Sequence, residues 1–234
     1  MTSKPLCVIA GFGPGNGLAF CHRFLRGGYR VAILARSEEK LAHHAAGNPD
    51  ILPFVCDLSD PDAVAMTFEA IVDGPGIPAV LIYNAGSGLF GPALDVSLDD
   101  FENAWRINAL GLLAAARAVA PQMIERGGGS ILVTGATASL RGGANFAAFS
   151  SAKAAQRNLA QSLARSLGPQ GIHVALVIVD GVIDLPRTRE MFAGKPDSFF
   201  LKPAAIAETY YHLAGQDPSA WTFEVDLRPR GEPW

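Results

Sequence analysis

The stretch AGFGPGNGLA, residues 10–19, sets Gly11, Gly15 and Gly17 in the spacing G-x-x-x-G-x-G, with Gly13 as an extra. After an apolar run and before a helix-length segment, such glycines let backbone N–H groups approach a pyrophosphate closely. The helix start adds partial positive charge. The G-x-G-x-x-G fingerprint is not met, because residue 16 is Asn. A ligand-free flexible turn is the plainer reading, and the strand–helix junction argues against it. A second signal is Ala-Arg-Ser at 35–37. An acidic residue at the end of a second strand would bond the ribose 2′-hydroxyl of NAD, whereas an arginine pairs with the 2′-phosphate of NADP. No acid lies at 34–37, so Arg36 with Ser37 favours NADP(H) over NAD(H). Pro14 offers no second basic group in the turn, and a solvated arginine at a strand end is the alternative. In FAAFSSAK (146–153), Phe149 and Lys153 stand four apart and share one helix face.

Other residue types exclude chemistry. The five histidines, at 22, 43, 44, 173 and 212, have no ligand spacing, and no metal is indicated. Cys7, Cys21 and Cys56 are widely spaced in apolar runs and read as buried free thiols of a reducing compartment, with the cytoplasm as default. The net charge of −3 gives no footprint for nucleic acid or an anionic membrane. No run of 18 uncharged apolar residues appears, so no membrane span is expected. The N-terminus lacks the apolar region and cleavage site of a secretory signal.

These residues need a scaffold, and the pattern supplies one. Strand candidates lie at 6–10, 30–35, 51–56, 79–84, 130–135, 172–179 and 221–227. Helical segments fall at 15–27, 37–46, 60–73, 99–126, 149–168 and 203–215. The first six strands are near-continuous apolar runs, as expected where both faces are covered. The alternation predicts an α/β, Rossmann-like, doubly wound parallel sheet of about seven strands with helices on both faces. No linker or repeat divides residues 1–234, so one domain is expected. Ser37 and Ser59 or Asp60 can cap helices, and Pro61 suits an early helical position. The run ALGLLAAARAVA (109–120) is apolar on nearly every face; it is either internal or packed on another subunit.

In order along the chain, these motifs resemble the short-chain dehydrogenase/reductase family. Gly11, Gly15 and Gly17 match its cofactor turn, and Asp57-Leu58 match the acidic segment that meets the adenine. Asn84-Ala85-Gly86 match its N-A-G motif, while Asn108 and Lys153 match the asparagine and lysine of its catalytic tetrad. The resemblance implies that the lysine binds the nicotinamide ribose and the asparagine organises a water relay. It also implies a tyrosine four residues before the lysine and a serine thirteen before that. Here those positions hold Phe149 and Ala136. None of the tyrosines, at 29, 83, 210 and 211, lies in this segment.

Three readings follow. Hydride transfer continues with other groups, such as Thr134, Thr137, Ser139, Ser150, Ser151 or Lys153 through water, on an enone whose enolate takes its proton from solvent. Alternatively, the protein binds NADP(H) without chemistry, as a sensor or partner subunit. The third reading, a scaffold that merely keeps the fold, has no use for the glycine turn or Lys153. Beyond strand six, Asp180 replaces the family's proline, Gly181 stays, and Leu185 stands at the expected threonine. Backbone groups at Val182 and Ile183 are left to meet the nicotinamide, and Asp180 reads as a loop cap or turn residue with proton carrier as the alternative. The loop-rich stretch 187–203 is either a substrate lid or a surface cover; Met191, Phe192, Phe199 and Phe200 suggest a small apolar substrate, and Arg187 and Arg189 admit an acidic group. The tail forms a last strand and then an extended end with Pro229 and Pro233. By resemblance the protein is a homodimer or homotetramer packed through 99–126 and 149–168.

Overall fold

The computed structural model describes residues 4–231, so Pro233 lies outside the described residues. Seven strands form one wholly parallel sheet: β1 (Leu6–Ala10), β2 (Arg30–Ala35), β3 (Ile51–Val55), β4 (Val80–Tyr83), β5 (Gly129–Ala136), β6 (Ile172–Val179) and, at the far edge, β9 (Glu224–Leu227). Two short strands, β7 (Val182–Ile183) and β8 (Phe200–Leu201), pair separately above it. The order in the large sheet is β3-β2-β1-β4-β5-β6-β9. The chain therefore winds outward from β1 in one direction, returns, and winds out in the other from β4. Ligands of open parallel sheets bind where the order reverses, beyond the carboxyl ends of the strands.

Helices cover both faces. On one side α3 (Pro61–Asp73), α5 (Gly111–Glu125) and α6 (Ala147–Leu167) contribute Val64, Phe68, Leu112, Val119 and Ala160 to one core layer. On the other, α1 (Asn16–Arg26), α2 (Glu38–Ala45) and α8 (Pro203–Ala214) contribute Phe20, Phe24, Leu41, Ile206 and Tyr210. The helix starts follow their caps: Ser37 and Asp60 each accept a backbone N–H of the following turn, and Pro61 opens α3. The remaining helices are α4 (Leu98–Trp105), against α6, and the short α7 (Pro186–Met191). Cys7, Cys21 and Cys56 are free and buried, and burial pushes the Cys21 thiol up to about 12.

Two expectations are corrected and one is refined. Strand β3 is not covered on both faces: Pro53 and Val55 face outward, because β3 is the sheet edge, where a strand proline is tolerated. The helix expected over 99–126 is present as one continuous helix, Leu98–Glu125, but its winding changes within it. A π-turn at Arg106–Leu110 separates α4 from α5, and the Tyr83 hydroxyl donates to the Ile107 carbonyl inside it. The last strand begins at Glu224, after a 3₁₀ turn at Pro218–Ala220. By composition the stretch Leu98–Glu125 is long and apolar enough to cross a membrane, yet half of its most apolar window is buried within this fold.

Candidate functional site

At the switch point the ends of β1 and β4 are tied together. Asn84 donates its backbone N–H to Ala10 O at 2.8 Å and its side-chain amide to Gly11 O at 2.8 Å. The Thr134 hydroxyl, at the end of β5, donates to Asn84 Oδ1 at 3.1 Å. Gly11 turns the chain at φ 92°, and a β-carbon there would lie 2.4 Å from the Ala85 nitrogen, so no other residue fits. The helix α1 then starts without a side-chain cap and without an acid in its first turn, unlike α2, α3 and α4. Its free N–H groups and dipole are left to whatever lies in front.

Two cavities open there and share Asn84 and Gly86. The smaller, about 260 Å³, is lined by Gly11, Arg36, Asp57, Leu58 and Ala85 among others. The Asp57 carboxyl is held below its ordinary range, first by the Ser59 backbone N–H at 2.9 Å, then by the Ser59 hydroxyl at 2.7 Å, with a further contribution from the Arg36 charge. Ser37, grouped with Arg36 on sequence, does not line this cavity; its hydroxyl oxygen accepts from Lys40 N and caps α2. The larger cavity, about 830 Å³, runs from Gly15, Asn16 and Gly17 past Ala136, Phe149 and Lys153 to Gly181, Ile183 and Met191. Leu185 closes down on the glycine turn: its Cδ2 lies 2.8 Å from the place a Gly15 β-carbon would occupy.

Lys153 and Asn108 meet beneath Gly86. A β-carbon on Gly86 would sit 3.4 Å from both Lys153 Nζ and Asn108 Oδ1. Asn108 is fully buried in the π-turn and lies behind the cavity wall instead of on it. Its Nδ2 donates to Ala104 O at 2.8 Å, and its Oδ1 has no partner among the described residues. Lys153 Nζ donates to Thr134 O at 2.8 Å and to Gln156 Oε1 at 2.9 Å. Burial lowers the Lys153 pKa to about 7.

The opposite wall is apolar. Phe149 packs edge-on against Phe90 with centroids 5.4 Å apart, and Phe90 against Phe146 at 5.1 Å. The candidate hydroxyls nearby are engaged elsewhere: Ser139 donates to Ala136 O, Ser150 to Phe146 O and Ser151 to Ala147 O. Thr134 is 2.7 Å from the buried Tyr210 hydroxyl. Thr137 donates to Asp180 Oδ1. Asp180 is therefore not a turn residue. It is buried, it lines the cavity, and its Oδ2 pairs with Arg228 at 2.8 Å. A carboxylate left without such a partner in that position would be strongly destabilising. Sequence reasoning also passed over Gln156, whose spacing of three from Lys153 on a helix was the available signal. The stretch 187–203 contains most of α7 and all of β8; β8 pairs with β7, and Val182, Ile183, Arg187, Thr188 and Met191 line the larger cavity. Arg189 is held there by Asp184 at 2.6 Å and Asp197 at 2.7 Å.

The donor set suits an extended anionic ligand. An uncapped helix start, a glycine cradle closed to β-carbons, an arginine over the adjoining cavity and a buried amine lie along one groove. Among the described residues Asn16 Oδ1, on the wall of the larger cavity, and Asn108 Oδ1, behind it, are buried polar atoms without a hydrogen-bond partner.

The family profile described as short chain dehydrogenase matches residues 6–195. A short-chain dehydrogenase from Rhodopseudomonas palustris superposes with a TM-score of 0.82 at 34% identity, covering 96% of this chain and 98% of that one. A metagenomic short-chain oxidoreductase in complex with NADP gives 0.83 at 27% identity over 97% and 98%. The 2-(R)-hydroxypropyl-CoM dehydrogenase of Xanthobacter autotrophicus is 29% identical over 230 residues, which are 91% of this chain and 92% of that protein. With the motifs, the sheet order and the matched length in agreement, the chain belongs to the short-chain dehydrogenase family.

Proposed function

We propose that this chain is an NADP(H)-dependent oxidoreductase of one domain, residues 1–234, with an altered catalytic tetrad. The observation that carries the reading is the groove from the uncapped start of α1 to Lys153, with Arg36 over its adjoining cavity. Gly11, Gly15, Asn16 and Gly17 receive the diphosphate. Arg36 pairs with the 2′-phosphate beside Ser37, and Asp57 with Leu58 borders the adenine. Asn84, Ala85 and Gly86 floor the groove at the switch point, Lys153 holds the nicotinamide ribose, and Gly181 and Ile183 border the ring. The NADP bound in the metagenomic relative supports a nicotinamide cofactor, and Arg36 carries the choice of NADP(H) over NAD(H). When bound, the nicotinamide supplies or takes up a hydride.

The chain's own contribution to proton transfer is reduced. Ala136 and Phe149 stand where resemblance places the hydroxyls, so only Asn108 and Lys153 of the tetrad remain. A missing general acid costs about 10²–10⁴-fold in rate and a missing oxyanion donor about 10²–10³-fold. An enone reaction whose enolate is protonated by solvent is least affected, and the wall of Phe90, Phe146 and Phe149 suits a small apolar substrate. The same apolar wall favours the second reading, an NADP(H)-binding protein that performs no chemistry. Assembly as a homodimer or homotetramer through 99–126 and 149–168 is supported by exposed Leu98, Phe101 and Trp105, one stripe along α4.

Titration of the purified protein with NADPH and with NADH, followed by reduced-nicotinamide fluorescence, tests the proposal. Tight NADPH binding and weaker NADH binding are expected. Binding of neither removes the cofactor reading. Binding of NADPH without turnover on a panel of enones and carbonyls selects the non-catalytic reading.

A further inference from the structure

We propose that Gln156 is a positioning residue that fixes the direction of Lys153 and, among the described residues, keeps ionised groups from bonding its amine on the interior side. The arrangement stands on its own geometry; its consequence for hydride transfer rests on the cofactor reading above.

Lys153 and Gln156 are three residues apart on α6 and face inward together. Gln156 is wholly buried, and burying an amide is costly unless both of its ends are bonded. Both are. Its Oε1 accepts from Lys153 Nζ at 2.9 Å, and its Nε2 donates to Asn108 O at 3.0 Å. The opposite amide orientation would set NH₂ against an amine donor and oxygen against a carbonyl, so only one orientation is bonded at both ends. Asn108 stands in the π-turn, where the altered winding accompanies a carbonyl bonded to a side chain.

The neighbours of Nζ decide what the amine can do. Thr134 O is a backbone carbonyl and Gln156 an amide, and neither ionises. Beyond them lie the Asn108 carbonyl, the Asn84 amide and the Thr134 hydroxyl, which meets Tyr210, a phenol pushed up by burial. The charged groups lining the same cavity are Asp180, Arg141 and Arg187, and Asp180 is engaged by Thr137 and Arg228. Burial alone, with no charged neighbour, accounts for the lowered pKa of Lys153. Among the described residues, the hydrogen bonds that Nζ makes, to Thr134 O and Gln156 Oε1, therefore lead to no ionised group. Lys153 acts as a held cation below its pKa and takes or loses its proton only from the cavity side, beside Gly86.

The test uses the cofactor-free full chain labelled with [13Cε]lysine, with Lys153→Met assigning the resonance. Gln156→Met keeps the volume and removes the acceptor. The Lys153 midpoint is expected to fall by about one pH unit, as for loss of a hydrogen bond to a charged group. Gln156→Glu is isosteric, and its carboxylate should raise the midpoint by about 1–3 units; it decides the matter if the methionine variant does not fold. Gln156→Ala opens room for water beside Nζ and should accelerate exchange of the ammonium protons severalfold. Midpoints unmoved in Gln156→Met and Gln156→Glu, or exchange unmoved in Gln156→Ala, would overturn the proposal. Loss of the cofactor reading would appear separately, as wild-type protein that fails to bind NADPH while the midpoints still move.

Discussion

Replacing Lys153 by Met changes the pH dependence of stability in a direction the burial of this amine dictates. The folded-state pKa is about 7, while an unfolded lysine titrates near about 10.4. Below about pH 7 both states are protonated, and the folded state carries the whole cost of a buried charge. Between about pH 7 and pH 10 the unfolded chain binds the proton and the folded chain does not, so wild-type stability rises with pH. The full span is about 3 pH units, or about 4–5 kcal/mol. Methionine removes that cost but strips a donor from Thr134 O and Gln156 Oε1, at about 1–3 kcal/mol each, independent of pH. Near pH 6 the two effects roughly cancel. By about pH 9.5 wild type should have gained about 3 kcal/mol on the variant. Urea unfolding of both proteins across that range measures the difference, and other titrating groups cancel between them. A difference that stays constant with pH would show that Lys153 keeps an ordinary pKa in the folded protein, and the reasoning from burial would fail.

Other perturbations have equally definite outcomes. Gly11→Ala forces a β-carbon against the Ala85 backbone at positive φ; it should cost about 2–4 kcal/mol in urea unfolding and abolish NADPH binding. Ala136→Ser combined with Phe149→Tyr should raise carbonyl reduction by roughly 10³-fold or more over the natural chain, measured by NADPH consumption; equal rates in the two would dismiss the altered tetrad as the limiting feature. Asp180→Asn leaves the Arg228 guanidinium without its nearest buried carboxylate, although Asp226 remains 3.2 Å away. A loss of about 2 kcal/mol in urea unfolding is expected.

What was readable in the sequence follows from what burial writes into it. Strands β1, β2, β4, β5 and β6 lie inside the sheet, so their apolar runs are continuous and their limits fall close to those expected. At β3, the edge strand, Pro53 and Val55 only imitate a buried run. The π-turn left no mark of its own, because no propensity separates it from α-helix; its setting, Tyr83 on the Ile107 carbonyl, is a tertiary contact. The glycine turn, Arg36 and Lys153 were visible because local spacing carries them. The Thr137–Asp180–Arg228 cluster was not. It depends on β5 and β6 pairing Ala136 with Val179, which brings the next residues, Thr137 and Asp180, side by side. After a strand and before glycine, Asp180 imitates a turn residue.

The changes on the two sides of Lys153 bear on one another. Toward the larger cavity, Ala136 and Phe149 offer no exchangeable proton. Toward the interior, Gln156 spans from Nζ to the Asn108 carbonyl and fills with an amide the place where a relay could run. Restoring only the outer hydroxyls would give a tyrosine beside a lysine that cannot be reprotonated from within. On the proposal above, the doubly restored protein should therefore reduce carbonyls with a rate that falls as Lys153 loses its charge, above about pH 7. Adding Gln156→Ala, which admits water behind the amine, should carry activity to higher pH. A pH profile of the doubly restored protein that Gln156→Ala leaves unchanged would mean that proton supply never passes Lys153, and the apolar outer wall alone would set the chemistry.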